Sequence, residues 1–391
     1  MKITHVSQDE NNPIVYLNNA ATTWPKPRGV LREVSRCLRM PLNEPGRTTG
    51  NGSTDYPAAA RESLAALFNT GPPDHFVFTH NATDALNLLI HGFVKRAGAP
   101  FHAITTELEH NSVLRPLHAL ETGGAITLSV VPFTGCTVDP AAIKKAIRED
   151  TRLVVMTHGS NVLGSVQQIR PIAEYLHASG IFFIVDGAQT AGHIPIDLSD
   201  IPVDAFAFTG HKALFGIPGI GGFYLRDKDS IAITRQGGTG TDSRSLSHPD
   251  EMPMRFEAGT PNYPGIASLY AGVRFISTTG PERIEKRGKK LTACLIRELQ
   301  KQEHVEIYNT APDLPLVSFN ITGIGNDEAG FILAKAYRVI MRTGLHCAPL
   351  VHDRIDGGQG CIRASFSYFN TADDCRRAAD AIREVAQGAH R

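Results

Sequence analysis

An acidic and a basic side chain follow two neighbouring apolar segments of the chain. Asp186 ends IFFIVD (181–186), and Lys212 lies just after DAFAFT (204–209), 26 residues further on. This spacing is one strand–helix unit, so the two side chains can face one cleft from adjacent strands. Pyridoxal phosphate (PLP) needs such a pair, because a lysine binds its aldehyde and a carboxylate its pyridine nitrogen. Taken alone, Asp186 is also compatible with a helix N-cap or a local ion pair, and Lys212 with a solvated surface lysine.

Other apolar segments end in polar residues that suit the same cofactor. The residues from Asn81 to Thr83, after FVFT (76–79), predict a helix N-terminus whose backbone donors at Ala82 and Thr83 can bind a phosphate group. His110 can stack on the pyridine ring, although its position is also compatible with simply beginning a helix. Asn161 and Gln189 can donate hydrogen bonds to the phenolic oxygen.

The elements that must position these residues alternate between strands and helices. Short apolar runs predict strands: FVFT (76–79), HAIT (102–105), ITLSVVPF (126–133), RLVVMT (152–157), IFFIVD (181–186), DAFAFT (204–209) and GGFYLR (221–226). Helical spacing occurs between them, over Thr83–Arg96, Asn111–Leu120, Pro140–Arg148 and Ile169–Ala178. This alternation indicates an α/β fold with a mostly parallel sheet that is covered on both faces.

The pattern changes after about Gly259. A long helix is predicted over Ile266–Lys301 as a hinge, followed by the strand LVSFNI (316–321), a helix over Asp327–Tyr337 and a final helix over Ala372–Ala386. We therefore expect a large domain of residues 15–265 and a smaller α+β domain of residues 266–391 together with 1–14. A chain of 391 residues is long enough for two such domains.

Composition narrows the functional class. The 39 basic and 39 acidic residues give a formal net charge of zero, so no attraction to nucleic acid or to an anionic membrane is expected. The polar N-terminus and the lack of a long apolar run predict a cytoplasmic protein without a signal peptide or membrane span. The six cysteines form no CxxC pair, which argues against a zinc cluster or a disulfide framework, and we predict no metal.

Five segments together resemble the class V aminotransferase family, specifically its cysteine desulfurase and selenocysteine lyase branch. They are TGHKALFGIPGIGG (209–222), VDGAQT (185–190), SNVLG (160–164), FEAGTPNYPG (256–265) and RTGLHCAPL (342–350). The resemblance extends from YLNNAAT (16–22) to IRASFSYFNT (362–371), nearly the whole chain. It implies the type I fold of PLP-dependent transferases (aspartate aminotransferase-like) and a homodimer with two shared active sites.

The resemblance also implies roles for individual residues. Lys212 matches the cofactor-binding lysine, Asp186 the pyridine partner and His110 the stacking residue, while Asn161 and Gln189 match the contacts to the phenolic oxygen and the ring. Phosphate ligands are matched by Thr83, Thr209, His211 and, reaching the neighbouring subunit, Thr260.

For the substrate, the resemblance implies roles for Cys347, Arg363 and Arg342. Cys347 matches the nucleophile that takes sulfur from L-cysteine as a persulfide and releases L-alanine. A thiol attacks as thiolate, and Arg342 and His346 are candidates for the positive neighbours that it needs. Arg363 matches the clamp for the substrate α-carboxylate, a task that suits a bidentate guanidinium, and we expect Arg342 to assist it.

Two departures from the family pattern leave the substrate open. The loop 45–53 lacks a histidine that many relatives carry near the substrate, and the stretch LVHDRIDGGQGCIR after Cys347 differs in detail. Cysteine desulfurase is therefore the first interpretation, with transfer to a possible sulfur-acceptor protein. Selenocysteine lyase or another PLP-dependent C–S lyase is the alternative, and a class V aminotransferase is less favoured because transamination needs no cysteine. A PLP-binding protein without turnover would be a different class, which an intact Lys212 and Asp186 argue against.

Overall fold

The computed structural model describes residues 13–41, 54–98, 100–241 and 243–390, so the loop 45–53 lies outside the described residues. The chain divides into two compact units. We call residues 25–160 and 166–284 the sheet unit, and residues 1–24, 161–165 and 285–391 the C-terminal unit. The domain boundary expected near residue 265 stays a prediction.

The strands and helices of the described residues are as follows. The strands are β1 (Val15–Tyr16), β2 (Phe76–Thr79), β3 (Phe101–Thr106), β4 (Ile126–Val131), β5 (Thr151–Thr157), β6 (Phe182–Asp186), β7 (Ala205–Thr209), β8 (Gly221–Leu225), β9 (Val305–Ile307), β10 (Leu316–Ile321), β11 (Val339–Ile340) and β12 (Ile362–Ser365). The helices are α1 (Arg28–Arg39), α2 (Tyr56–Phe68), α3 (Ala82–Ala97), α4 (Asn111–Thr122), α5 (Pro140–Ala146), α6 (Ile169–Ala178), α7 (Tyr263–Thr279), α8 (Pro281–Leu299), α9 (Asn326–Ala336), α10 (Pro349–Ile355) and α11 (Ala372–Gly388).

A seven-stranded sheet forms the centre of the sheet unit. Its strand order is β2-β8-β7-β6-β5-β3-β4, and β8 runs antiparallel to both of its neighbours while the other pairs are parallel. Strands β6, β7 and β8 are buried along their whole length, as expected for a sheet covered on both faces. The mostly parallel α/β sheet predicted from the alternating pattern is therefore confirmed.

Strand register places the ends of β5 and β6, and with them Asp186, at one edge of this sheet. Thr157 at the end of β5 pairs with Asp186 at the end of β6, and Asp186 pairs with Ala207 of β7. The chain then turns tightly at Gly187, where an added Cβ would meet the Phe206 ring at 2.0 Å. A glycine is needed there so that the segment after Asp186 can lie against β7.

The C-terminal unit has its own sheets and core. Strands β12, β10 and β9 form an antiparallel sheet in that order, and β1 pairs with β11 in parallel. Its core includes Leu295 of α8, Phe319 of β10 and Ile382 of α11, each with no exposed surface. Helix α11 begins with a capping box between Thr371 and Asp374.

The long helix predicted over Ile266–Lys301 is wrong. The structure has two helices there, α7 and α8, separated by Gly280. Gly280 adopts a left-handed φ of 91°, and its N–H bonds back to the carbonyl of Ile276, which ends α7. Pro281 then begins α8, where its missing N–H is tolerated. Among the described residues, no helix combines the length and apolar character that crossing a bilayer requires.

Candidate active site

Asp186 and Lys212 lie close together in the sheet unit. Asp186 is 4% exposed, and one of its carboxylate oxygens accepts a 2.9 Å hydrogen bond from the Ala188 N–H. Burial raises the pKa of this carboxyl group, whereas the Ala188 N–H and the positive charge of Lys212 lower it. Lys212 lies in the turn after β7, which is closed by a 2.9 Å bond from the Phe215 N–H to the Lys212 carbonyl.

The predicted residue His211 and two residues that were not predicted, Lys26 and His193, lie near this pair. Burial, together with the charge of Lys212, lowers the pKa of both His193 and His211 to about 4, so these rings are neutral at pH 7. Lys26 donates a 2.8 Å hydrogen bond from Nζ to the His211 carbonyl, and burial lowers its pKa to about 7. Sequence spacing gave no signal for Lys26 or His193, because neither ends a strand.

Glu109 is a second buried acid at the same edge. It has no exposed surface, and its Oε1 accepts hydrogen bonds from Thr106 Oγ1 at 2.6 Å and from the Thr157 N–H at 2.9 Å. Burial raises its pKa to about 8; the two hydrogen bonds lower the pKa and the charge of Asp186 raises it. Glu109 directly precedes His110, so its place after a strand was the signal that could have found it.

The start of α3 and the end of β7 provide groups that fit a phosphate. Asn81 caps α3 by accepting the Asp84 N–H at 3.0 Å, and Ala82 and Thr83 begin the helix, Ala82 being buried and Thr83 exposed. The Thr209 hydroxyl is buried and has no hydrogen-bond partner among the described residues. A buried hydroxyl without a partner is costly, and a bound phosphate oxygen would satisfy it.

His110, Gln189 and Thr260 occupy different kinds of position. His110 caps α4, its Nδ1 accepting the Ser112 N–H at 3.0 Å, so it does begin a helix, and ring stacking stays a prediction. Gln189 is buried in the turn after β6. Thr260 is exposed and lines a cavity of about 390 Å³ in the sheet unit together with Arg61, Glu257 and Tyr263.

Arg363 and Asn161 belong to the C-terminal unit. Arg363 lies on β12 and is 1% exposed; its Nη1 donates a 2.7 Å hydrogen bond to the Asn161 carbonyl. Its Nε and Nη2 have no partner among the described residues. Burial lowers the pKa of Arg363 to about 9, which leaves the guanidinium charged at pH 7. Two buried, charged donors without acceptors fit an incoming carboxylate.

Cys347 lies on an unusual turn next to Arg342. Arg342 Nη2 donates to the Cys347 sulfur at 3.6 Å, and the backbones of Arg342 and Arg363 pair through bonds of 2.8 and 3.2 Å. His346 and Cys347 have φ angles of 48° and 60°, a left-handed conformation that is rare outside glycine. Consecutive residues of this kind persist only where the surroundings hold them, and such strain is concentrated at functional sites.

Three further contacts hold this turn in place. Asn161 Nδ2 donates a 2.7 Å hydrogen bond to the His346 carbonyl, so its side chain positions the residue before Cys347. At the base of the turn Gly360 approaches Gly344 so closely that an added Cβ would lie 2.7 Å from its backbone. The Cys361 N–H bonds to the Gly344 carbonyl at 3.2 Å.

The prediction that His346 supplies positive charge to Cys347 is wrong. The ring is 2% exposed, and burial lowers its pKa to about 2, with further lowering by the charges of Arg363 and Arg342. His346 is therefore neutral, and the cationic donor at the Cys347 sulfur is Arg342.

The fold is that of the PLP-dependent transferases, and the chain belongs to the aminotransferase class-V family, which matches residues 15–377. It is 32% identical over 386 residues to a probable cysteine desulfurase of Methanothermobacter thermautotrophicus, covering 95% of this chain and 94% of that protein.

Solved structures that are similar to this chain include two cysteine desulfurases. A cysteine desulfurase from Thermococcus onnurineus NA1, in its apo form, is 28% identical with a TM-score of 0.88, covering 96% of this chain and 95% of that one. The cysteine desulfurase CsdA of Escherichia coli, as an S-sulfonic acid, is 25% identical with a TM-score of 0.87 and the same coverage. The predicted fold, type I of the PLP-dependent transferases, is confirmed.

Proposed function

We propose that this protein is a PLP-dependent cysteine desulfurase that converts L-cysteine to L-alanine and leaves a persulfide on Cys347. The observation that carries the proposal is the Cys347 sulfur, which lies on a strained turn with the Arg342 guanidinium as its hydrogen-bond donor. A thiolate is the nucleophilic form of cysteine, and a cationic donor favours that charge. The relatives named cysteine desulfurase point to the same reaction.

The residues of the sheet unit fit PLP. We propose that Lys212 binds its aldehyde, Asp186 its pyridine nitrogen and His110 its ring face. Phosphate oxygens would be bound by Ala82, Thr83, Thr209 and His211, and the phenolic oxygen by Gln189 and Asn161. When bound, PLP supplies an electron sink that makes the α-proton of the amino acid acidic. Support comes from the unpartnered Thr209 hydroxyl and from Asp186, buried near the positive charge of Lys212.

The chain's own groups then bind, orient and move protons. Arg363 binds the substrate carboxylate through its unpartnered donors, with Asn161 and Arg342 assisting. Lys212 Nζ removes the α-proton and returns a proton to the substrate carbon skeleton. The Cys347 thiolate attacks the substrate sulfur: a sulfur–sulfur bond forms, the carbon–sulfur bond breaks, and the carbon skeleton keeps the electron pair and takes a proton to become alanine.

The test measures alanine and sulfide together. PLP-loaded protein is incubated with L-cysteine and reductant, alongside Lys212→Ala, Cys347→Ala and, as a control, Cys136→Ala, which alters another partly exposed cysteine. We expect equal alanine and sulfide from the wild type and the control, and neither product from the other two variants. Alanine formation by Cys347→Ala at the wild-type rate would contradict the persulfide step.

The same assay distinguishes the alternative substrates and reactions. If L-cysteine gives no alanine while L-selenocysteine gives alanine and selenide, the cofactor assignment stands and the protein is a selenocysteine lyase. Formation of a keto acid that retains the sulfur, without release of sulfide, would indicate an aminotransferase. All three reactions use the same lysine, so Lys212→Ala is inactive in each.

We further propose a cytoplasmic homodimer in which Thr260 contacts the phosphate bound by the partner, with a protein as sulfur acceptor. The family match and the position of Thr260 on an exposed loop support the dimer. Sedimentation equilibrium should give twice the 42.4 kDa chain mass. A monomer with full activity would overturn the shared site.

A further inference from the structure

Three buried side chains that the proposed reaction does not use lie together in the C-terminal unit. His346 precedes Cys347, His352 lies on α10, and Cys361 immediately precedes β12. They are 2%, 0% and 0% exposed. One potential ligand atom from each residue lies within 4.8 Å of the others. Two imidazoles and a thiol form a common ligand set for zinc and neighbouring transition metals.

The hydrogen bonds of the two histidines leave one nitrogen of each without a partner. His352 Nδ1 lies 2.6 Å from Asp356 Oδ2, and both side chains are buried. His346 Nε2 lies 3.1 Å from the Cys361 carbonyl and 3.5 Å from the Cys361 sulfur. His352 Nε2 and His346 Nδ1 are buried and have no hydrogen-bond partner among the described residues. A buried polar atom without a partner is costly, so two in one cluster point to a missing ligand.

The His352–Asp356 contact is also informative in itself. Metal-binding histidines usually donate their other N–H to a carboxylate or a backbone carbonyl, which fixes the tautomer and the orientation of the ring. His352 has the carboxylate of Asp356 as that partner, and His346 has the Cys361 carbonyl. Both imidazoles therefore have the outer contacts that a ligating ring normally has.

We propose that His346, His352 and Cys361 bind a divalent transition-metal ion of borderline softness, such as Zn²⁺. Burial raises the pKa of the Cys361 thiol to about 12, so the free protein holds it protonated. Binding forms a metal–sulfur bond and releases the thiol proton to solvent. The ion and the thiolate together carry one positive charge, which the Asp356 carboxylate offsets beside the charges of Arg342 and Arg363. An ion here would fix His346 and, through it, the turn that bears Cys347.

Cobalt is the probe, because tetrahedral Co²⁺ absorbs in the visible region at longer wavelength than a PLP enzyme. PLP-loaded protein is freed of metal by dialysis against a chelator and titrated with Co²⁺. We expect one Co²⁺ per chain, displaced by Zn²⁺, in the wild type and in Cys347→Ser. The Co²⁺ absorption should be lost in Cys361→Ser. In His352→Asn the affinity for Co²⁺ should fall at least tenfold.

Two results would overturn the site. One is the absence of a one-to-one cobalt complex in the wild type. The other is the reverse pattern, binding lost in Cys347→Ser and kept in Cys361→Ser, which would assign the ion to the nucleophile. If Cys361→Ser does not fold, X-ray absorption of the zinc-loaded wild type decides whether sulfur is a ligand of the ion. We expect one sulfur at about 2.3 Å and nitrogens at about 2.0 Å, and a shell without sulfur contradicts the proposal.

Discussion

The surroundings of Lys212 and of Cys347 are built in different ways. Asp186 and Lys212 lie at the carboxyl end of buried parallel strands, where register alone determines which residues are neighbours. Cys347 lies on an irregular turn with left-handed residues, which side-chain bonds from Asn161 and Arg342 hold in place. The first arrangement depends on the sheet and the second on a few individual contacts. Substitutions should therefore have different consequences in the two regions.

The electrostatics of the two regions also differ. Near Lys212 the buried polar groups include two acids, Asp186 and Glu109, whose pKa values are both raised by burial. Near Cys347 the buried charges include the Arg363 guanidinium, whose pKa is lowered by burial. The first region suits a cationic pyridine nitrogen, and the second suits an anionic substrate and an anionic sulfur.

The largest effect is expected for Asp186→Asn. An amide cannot stabilise a positive charge on the pyridine nitrogen, so alanine formation should fall about 10³-fold, the upper range for removing one buried electrostatic contact. The measurement is kcat for alanine with PLP in excess. The control is Asp150→Asn, at an exposed carboxylate. Activity within tenfold of the wild type would mean that Asp186 has only a structural role.

Glu109→Gln tests the same region through stability. Glu109 has a folded pKa of about 8, above its value of about 4.5 in the unfolded chain. The unfolded chain therefore releases its proton first, and the free energy of unfolding falls as pH rises from about 4.5 to 8. The wild type should lose on the order of 5 kcal/mol of unfolding free energy across this range, and urea unfolding should show that Glu109→Gln removes this loss. Parallel pH profiles for the two proteins, with Glu121→Gln as control, would contradict the raised pKa.

The sheet region could largely be predicted from the sequence. The strand β6 is a continuous apolar run that ends in Asp186, and such runs, separated by helical spacing, are sufficient to place residues at one sheet edge. The helix start at Asn81 was also predicted, because Asn is a common N-cap. Lys26 and His193 were missed because tertiary contacts, not strand ends, bring them near Lys212.

The Cys347 region could be predicted only through resemblance to the family. No local pattern indicates that His346 and Cys347 adopt left-handed φ angles, or that the Asn161 side chain bonds to the His346 carbonyl 185 residues away. The pKa of His346 is likewise lowered mainly by burial in the folded unit, which composition does not reveal. The helix break at Gly280-Pro281 was readable from the sequence, but the apolar spacing on both sides favoured one long helix.

Arg363→Lys tests whether binding of the substrate carboxylate depends on one guanidinium. Lysine keeps the charge but loses the planar pair of donors that binds a carboxylate bidentately. We expect kcat/KM for L-cysteine to fall about 10²-fold, mainly through KM, since one good charged hydrogen-bond pair accounts for about 3 kcal/mol. Arg376→Lys, at an exposed arginine on α11, should leave both constants unchanged. A fall in kcat with constant KM would contradict a role in substrate binding.

The smallest effect is expected for Asn161→Ala, and it distinguishes the two regions most directly. The substitution removes the amide that bonds to the His346 carbonyl but keeps the backbone carbonyl that accepts from Arg363. Loss of one hydrogen bond to a buried carbonyl costs about 1 to 2 kcal/mol, so the left-handed turn should loosen and persulfide formation slow about tenfold. Alkylation of the Cys347 thiol by iodoacetamide should change, and the absorption spectrum of bound PLP should shift because the proposed amide contact to its phenolic oxygen is lost. If the spectrum shifts and alkylation does not, Asn161 acts only on the cofactor, and the Cys347 turn is held by Arg342 and the Gly344–Gly360 contact.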